Sequence, residues 1–219
     1  MNIMCITGWQ QKADALANIA PDALQVDYSA YESTKTLFAD LPPVVDVAIG
    51  WSLGGQILVR AIASGAVKAK KVVLLSTAYQ FISDEYFSGG ISVTDFNKAK
   101  KEYAEDPAKM LAEFQLLIAA GDKRQTEIAR QLSETTTLWP KGQQWLNELS
   151  RSTCGNLDLK NFPETSIIHG KNDKIISFVN AEKLSEQLPK SRLFCLADSG
   201  HAPHLHAPDF VINIINSYV

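Results

Sequence analysis

Cysteine, net positive charge and long apolar runs are all scarce in this sequence of 219 residues. Its 3 cysteines are odd in number and widely separated, so they do not provide the paired framework of a disulfide-rich secreted protein. The formal net charge of -3 provides no basic field for nucleic acid. No apolar run is long enough to span a bilayer, and the chain starts in a predicted strand without a charged leader. We therefore expect a cytoplasmic monomer with neither nucleic-acid nor membrane partners.

Short apolar strands alternate with helical segments along the chain, which predicts a mostly parallel central sheet with helices on both faces. The predicted strands are residues 3–6, 24–26, 44–49, 72–75, 166–169 and 192–196. The clearest predicted helices between and after them are residues 54–64, 179–187 and 208–218. The sequence thus belongs to the α/β class.

A long interval between two of these strands predicts an insertion. About 90 residues separate Val72 from Ser166, which is more than one crossover helix requires. Apolar residues recur there at helical spacing, at Met110, Leu111, Phe114, Leu117 and Ile118. We predict a helical cap over residues 79–157, inserted into a core made of residues 1–78 and 158–219. Phe81, Phe87 and Phe114 are its candidate pocket aromatics.

The strongest motif is Gly-Trp-Ser-Leu-Gly-Gly at residues 50–55, directly after an apolar run and before a helical segment. It is typical of a nucleophile elbow, in which a serine occupies a sharp strand-to-helix turn and glycines two positions away avoid a steric clash. Ser52 is therefore the candidate nucleophile. An ordinary glycine-rich turn is the alternative interpretation.

A serine nucleophile needs a base and an acid that orients the base. Asp173 lies in a polar turn just past the predicted strand at residues 166–169, and His201 lies in a loop past the last predicted strand. The order Ser, Asp, His is that of the α/β-hydrolases. Asp158 and Asp198 are competing acids, but Asp158 precedes its strand and Asp198 is close to His201 in the chain.

Three further histidines have no catalytic role in this interpretation. His169 ends a predicted strand, where a structural role is expected, and His204 and His206 closely follow His201. Their clustering raises the alternative of a metal site, but no cysteine or carboxylate set with zinc-like spacing accompanies them. We expect neither a metal nor a cofactor.

The loop after the first predicted strand provides a second candidate donor to an oxyanion. In an α/β-hydrolase this loop and the residue after the nucleophile contribute the two backbone N–H groups. Here they are Trp9, which follows Gly8, and Leu53. The Trp9 ring is also a candidate pocket wall or a plain core aromatic.

The elbow at residues 50–55, the Gly8–Trp9 loop and the segments 200–203 and 207–210 resemble the α/β-hydrolase esterases that demethylate a pimeloyl-carrier-protein methyl ester in biotin synthesis. The resemblance implies the α/β-hydrolase fold, the triad Ser52, Asp173 and His201, and oxyanion donors on Trp9 and Leu53. It also implies a substrate-lining stretch: Phe114, Gln115, Leu116, Leu117 and Ile118.

The chain departs from that family in three places. Thr7 precedes Gly8 where the family usually has histidine, the leading β-hairpin is absent, and the cap carries mostly lysines where the family has arginines for the carrier protein. These departures bear on the substrate and on the carrier-protein partner.

The expected function is a serine carboxylesterase that acts through an acyl-enzyme on an acyl ester, with the pimeloyl-carrier-protein methyl ester as the expected substrate. A general small-ester carboxylesterase, a hydrolase of carbon-carbon bonds and a non-catalytic binding protein are the alternatives. The expected substrate-binding residues are Trp9, Ser52, Leu53, Phe81, Phe114, Gln115, Leu116, Leu117, Ile118 and His201.

Overall fold

A computed structural model describes residues 1–217 and contains one six-stranded sheet in which every pairing is parallel. The strand order is β2-β1-β3-β4-β5-β6. The expected fold class is confirmed, with a sheet that is wholly rather than mostly parallel. The strands are β1 (Ile3–Ile6), β2 (Leu24–Val26), β3 (Val44–Trp51), β4 (Lys68–Leu75), β5 (Glu164–Gly170) and β6 (Ser191–Leu196).

Helices connect the strands and cover the sheet. A short 3-10 helix spans Ala13–Leu16, and the α-helices are α1 (Thr34–Asp40), α2 (Leu53–Ala63), α3 (Val93–Glu105), α4 (Pro107–Ala119), α5 (Gln125–Thr135), α6 (Gly142–Arg151), α7 (Phe178–Gln187), α8 (Pro203–His206) and α9 (Pro208–Asn216). The predicted end of the last helix, at Tyr218, lies outside the described residues. Within residues 1–217, none of the helices is long and apolar enough to cross a membrane.

β4 begins four residues earlier than the apolar run at Val72 predicts. Lys68 and Lys70 are exposed while the residues between and after them are half-buried, which is the alternation of a strand with one face in water. The Nζ atom of Lys70 lies 2.7 Å from a carboxylate oxygen of Asp46 on the neighbouring strand. Ladder pairing with β3 therefore extends the strand beyond its apolar part.

Helices α3 to α6 lie between β4 and β5 in the chain, where the insertion is predicted. Their buried aromatic residues share one apolar core with residues that follow the first two strands. The rings of Trp139 and Trp145 pack edge to face with the ring of Tyr28, with centroids 4.7 and 4.8 Å from that of Tyr28. The inserted helices therefore pack over the carboxyl ends of the strands, where α/β proteins bind their ligands.

Candidate active site

Ser52 occupies a strained turn between β3 and α2. Its backbone has φ 55° and ψ -120°, a conformation that residues other than glycine rarely adopt. Its N–H donates to the carbonyl of Leu75 at 2.9 Å, which ties the turn to β4. A Cβ atom at Gly54 would overlap the carbonyl oxygens of Ile6 and Thr7, so only glycine allows α2 to start so close to β1. This geometry is that of a nucleophile elbow.

Asp173 and His201 form a buried hydrogen-bonded pair. The Nδ1 atom of His201 lies 2.7 Å from Oδ2 of Asp173, and both side chains are almost fully buried. Oδ1 of Asp173 accepts hydrogen bonds from the N–H groups of Ile175 at 2.8 Å and Ile176 at 2.9 Å. Because Nδ1 is used by the carboxylate, Nε2 of His201 is the ring nitrogen left for another partner.

Burial of Asp173 by itself raises the pKa of its carboxyl group. The charge of His201 and the hydrogen bonds with His169 and His201 outweigh burial and lower the pKa of Asp173 well below its usual range. Asp173 is therefore ionised near neutral pH. A buried carboxylate held this way fixes the tautomer of the imidazole and stabilises the imidazolium when it forms.

The backbone of His201 is held by the elbow strand and by α4. Its carbonyl accepts a hydrogen bond from Nε1 of Trp51 at 2.8 Å, and its N–H donates to the carbonyl of Ile118 at 3.3 Å. Trp51 directly precedes Ser52, and the Trp51 and His201 rings have centroids 5.9 Å apart. These contacts bring the histidine loop to the elbow.

The two candidate oxyanion donors adjoin Ser52. Within residues 1–217, neither the N–H of Trp9 nor that of Leu53 has an acceptor. Leu53 is the first residue of α2, where N–H groups have no partner inside the helix. A Cβ atom built on Gly8 would lie 3.5 Å from Cβ of Ser52, so the Gly8–Trp9 loop passes beside the nucleophile. Free N–H groups at such a position suit a developing oxyanion.

A cavity of about 390 Å³ opens beside Ser52, between the elbow and the inserted helices. Its lining is mostly apolar, and the lining residues with charged side chains, Glu102, Glu113 and Lys174, are exposed to solvent. This volume and character are those of a small-molecule site. The lining residues are Trp9, Ser52, Phe81, Ile91, Phe96, Ala99, Glu102, Met110, Glu113, Phe114, Leu117, Leu146, Leu149, Lys174 and Ile175.

The stretch 114–118 lies on α4 and does not line the cavity as a whole. Phe114 and Leu117 line it, whereas Gln115 donates from Nε2 to the carbonyl of Ala129 at 2.9 Å, and the side chain of Leu116 is 58% exposed. Ile118 is buried and contributes its carbonyl to His201. Successive helical residues point in different directions, so a contiguous stretch cannot share one wall.

Other predicted wall residues divide in the same way. Trp9 and Phe81 line the cavity, but Phe87 packs on Tyr79 with ring centroids 5.2 Å apart. Leu53 and His201 are buried and do not line the cavity. Residues that sequence reasoning missed include Phe96, Met110, Leu146, Leu149 and Ile175. The spacing of Met110, Phe114 and Leu117 is the signal that could have identified Met110, because residues four and seven positions apart share a helix face.

The three remaining histidines have different environments. His169 is fully buried, and its Nε2 atom lies 3.2 Å from Oδ2 of Asp173. His204 is buried against Trp51 with ring centroids 4.4 Å apart, and burial lowers its pKa to about 3. His206 pairs with Asp122 at 2.9 Å. Across residues 1–217, His, Cys, Asp and Glu do not form a group of three or more suited to a metal ion.

Comparison with known families agrees with this geometry. Residues 8–214 match the family described as "Alpha/beta hydrolase family". The chain belongs to the alpha/beta hydrolase family. The match covers nearly all of the described chain, and it includes the elbow, the turn with Asp173 and the loop with His201.

This alpha/beta hydrolase is also similar in sequence to relatives whose activity is named. The chain is 28% identical over 191 residues to the pimeloyl-[acyl-carrier protein] methyl ester esterase of Aromatoleum aromaticum, covering 82% of this chain and 76% of that enzyme. It is 24% identical over 188 residues to the biotin biosynthesis bifunctional protein BioHC of Teredinibacter turnerae, covering 78% of this chain but only 32% of that longer protein. The resemblance inferred from the motifs is confirmed, and an ester hydrolase is the class that the family and these relatives support.

Among solved structures, the esterase from Exiguobacterium antarcticum resembles this alpha/beta hydrolase along its full length. The TM-score is 0.81 at 19% sequence identity, and the match covers 100% of this chain and 91% of the esterase. At this identity the likeness concerns the fold.

Proposed function

We infer that this alpha/beta hydrolase is a serine carboxylesterase with Ser52 as nucleophile, His201 as base and Asp173 as orienting acid. The observation that carries the inference is the 2.7 Å hydrogen bond between Nδ1 of His201 and the buried carboxylate of Asp173. The loop of His201 is tied to Trp51, the last residue of β3, directly before Ser52. Such a pair keeps Nε2 of the imidazole available for a serine hydroxyl.

The reaction proceeds in two halves. His201 takes the proton of Ser52 as its hydroxyl attacks the ester carbonyl, and the N–H groups of Trp9 and Leu53 stabilise the tetrahedral oxyanion. His201 then protonates the departing alcohol and leaves an acyl group on Ser52. Water activated by the same histidine hydrolyses the acyl-enzyme, releases the acid and regenerates the serine hydroxyl.

The cavity sets the class of acyl group. Trp9, Phe81, Phe96 and Phe114 surround a space beside Ser52 that suits an extended apolar chain. The inserted segment, residues 79–157, acts as a cap that provides most of this wall and shields the acyl chain from bulk solvent, while a single water molecule still reaches the acyl-enzyme.

The methyl ester of a pimeloyl chain on an acyl-carrier protein is the proposed natural substrate. The names of two curated relatives support it, and the carrier protein would then be the partner that presents the acyl chain. A general esterase for small neutral esters is the second candidate. It is favoured by Glu113, an exposed carboxylate on the cavity lining that would repel an acidic carrier protein or the phosphate of its prosthetic group. The second lining carboxylate, Glu102, lies 3.8 Å from Nζ of Lys98.

The test measures hydrolysis of pimeloyl-carrier-protein methyl ester and of a short p-nitrophenyl ester by the wild type, Ser52→Ala and Ser76→Ala. Ser76 is a matched control, because it is a buried serine with positive φ at the end of the adjacent strand. Ser52→Ala should lose about 10,000-fold or more in kcat while remaining folded. Ser76→Ala should stay within about threefold of the wild type.

The outcomes separate the candidates. Cleavage of both esters by the wild type supports the carrier-bound substrate. Cleavage of the small ester alone removes that substrate and retains the triad, in favour of the general esterase. If the wild type cleaves neither ester, or if Ser52→Ala stays active, the proposed chemistry is wrong.

A further inference from the structure

His169 lies at the end of β5, four residues before the triad carboxylate. Its side chain is fully buried. The elementary triad reaction has no step for this second histidine. A buried imidazole beside an ionised carboxylate nevertheless bears directly on that carboxylate, because a buried polar group is costly unless its partners are well placed.

The Nε2 atom of His169 faces two oxygen atoms. It lies 2.8 Å from the carbonyl oxygen of Ile176 and 3.2 Å from Oδ2 of Asp173. A carbonyl oxygen only accepts hydrogen bonds, so Nε2 carries the proton. Within the described residues the other ring nitrogen, Nδ1, has no partner. All polar contacts of this ring therefore go to Asp173 and its turn.

These contacts form a small hydrogen-bond network around the Asp173 carboxylate. The ring Nε2–H group of His169 donates to the carbonyl of Ile176, and the backbone N–H of Ile176 donates to Oδ1 of Asp173 at 2.9 Å. Oδ2 lies between Nδ1 of His201 at 2.7 Å and Nε2 of His169 at 3.2 Å. Backbone donors thus fix one carboxylate oxygen, and two histidines flank the other.

We propose that His169 is a positioning residue of the esterase reaction, which holds the Asp173 carboxylate in the orientation that the His201 imidazole requires. This proposal rests on the proposed function, because it concerns the same triad. His169 reaches neither the substrate cavity nor Ser52 and acts only through Asp173. Without His169, the carboxylate loses the N–H group beside Oδ2, and the turn that follows Asp173 loses the hydrogen bond to its Ile176 carbonyl.

The same contact affects the charge of the carboxylate. Burial opposes ionisation of Asp173, and the hydrogen bond with His169 is among the interactions that keep its pKa low. The rings of His169 and Phe178 pack edge to face, with centroids 5.9 Å apart, so the imidazole plane is also fixed by packing. A rigid donor at this place pre-organises the acid before substrate arrives.

The test compares His169→Gln with His169→Leu. The amide nitrogen of glutamine approximates the position of Nε2, whereas leucine keeps the volume and removes the donor. We expect kcat of the leucine variant to fall roughly 10- to 100-fold with KM within about twofold, because the change acts on orientation rather than binding. Glutamine should restore kcat to within about threefold of the wild type. Thermal unfolding identifies any variant that has lost its fold, and His169→Asn, whose amide stops short of Nε2, then replaces leucine in the comparison.

A double-mutant cycle with Asp173→Asn separates positioning from a general packing effect. If His169 acts through the carboxylate, adding His169→Leu to Asp173→Asn should change kcat by less than about threefold. Equal losses in both backgrounds, or a leucine variant with wild-type kcat, would overturn the proposal. The proposed function fails separately, through an active Ser52→Ala variant.

Discussion

The carboxylate of Asp122 accepts a hydrogen bond from the N–H of Gly200, 3.0 Å away, and Gly200 is the residue before His201. Asp122 lies in the turn between α4 and α5, and it also accepts from the N–H of Arg124 at 2.7 Å and contacts Nδ1 of His206 at 3.0 Å. Helix α4, which lines the cavity beside Ser52, thus continues into a turn that holds the loop of His201. The buried carboxylate of Asp122 therefore links the cavity wall to the loop that carries His201, the proposed base.

Replacement of Asp122 by alanine should weaken both the fold and the reaction. It leaves the Gly200 N–H without its acceptor and breaks the pair with His206, so we expect a loss of about 2–4 kcal/mol in the free energy of unfolding. The freed histidine loop should lower kcat roughly 10-fold through misorientation. Denaturant unfolding and steady-state kinetics measure the two effects.

Asp198→Ala is the control for Asp122, because Asp198 lies on the same histidine loop with an exposed side chain. Its unfolding free energy should stay within about 0.5 kcal/mol of the wild type, with unchanged kcat. Similar behaviour of the two variants would mean that Asp122 does not hold the loop.

Local sequence patterns predicted a sharp turn at Ser52 and placed Asp173 and His201 just past strand ends, which is where the structure has them. Their catalytic roles stay a prediction. In a parallel sheet the residues just past the strand ends collect at one edge, so strand ends followed by Ser, Asp and His already imply proximity. The motif around Ser52 includes Gly54, although the close approach of Gly54 to Ile6 on β1 is visible only in the fold.

Contacts between residues from different segments of the chain could not be predicted from local sequence patterns. The cavity wall combines Phe96, Met110, Leu146 and Ile175 from four different segments, and their convergence depends on how the inserted helices cross. His169 is only four residues from Asp173, yet its contact with the carboxylate depends on the turn that brings the Ile176 carbonyl to Nε2. The inserted helices also share a core with Tyr28, so the boundary drawn at residues 79 and 157 remains a prediction from spacing alone.

His204 makes the fold sensitive to acid. Burial lowers its pKa to about 3, whereas in the unfolded chain the imidazole titrates near its ordinary value of about 6.5. Between these values the unfolded state binds more protons than the native state, so stability falls as pH falls. Below about pH 6, this one group changes the free energy of unfolding by up to about 1.4 kcal/mol per pH unit.

His204→Phe should remove that contribution while keeping an aromatic ring against Trp51. Its free energy of unfolding relative to the wild type should be constant above about pH 7.5 and should increase progressively from about pH 6 to pH 4. Chemical unfolding at several pH values measures this difference. A constant difference across the whole range would show that His204 does not titrate as its burial requires.

Because α2 lies close to β1, alanine should destabilise the fold much more at Gly54, in α2, than at Gly65, just past its end. A methyl group at Gly54 would overlap the backbone of Ile6 and Thr7, so Gly54→Ala should cost more than about 3 kcal/mol or prevent folding. At Gly65, just past the end of α2, nothing lies within 4 Å of an added Cβ, and only its φ of +78° opposes alanine. Gly65→Ala should cost about 1 kcal/mol. Equal costs in urea unfolding would contradict the close approach.

Two neighbouring leucines on α4 test the acyl cavity. Leu116 and Leu117 are 58% and 42% exposed, but only Leu117 lines the cavity. Leu117→Trp should narrow the space beside Ser52 and lower kcat/KM about 10-fold for an octanoyl ester, with less than about a twofold change for an acetyl ester. Leu116→Trp, with the same added bulk directed at solvent, should change neither. Only Leu117 faces the cavity, because successive helix residues point in different directions. If both variants change kcat/KM for the octanoyl ester equally, the acyl chain does not bind along this wall.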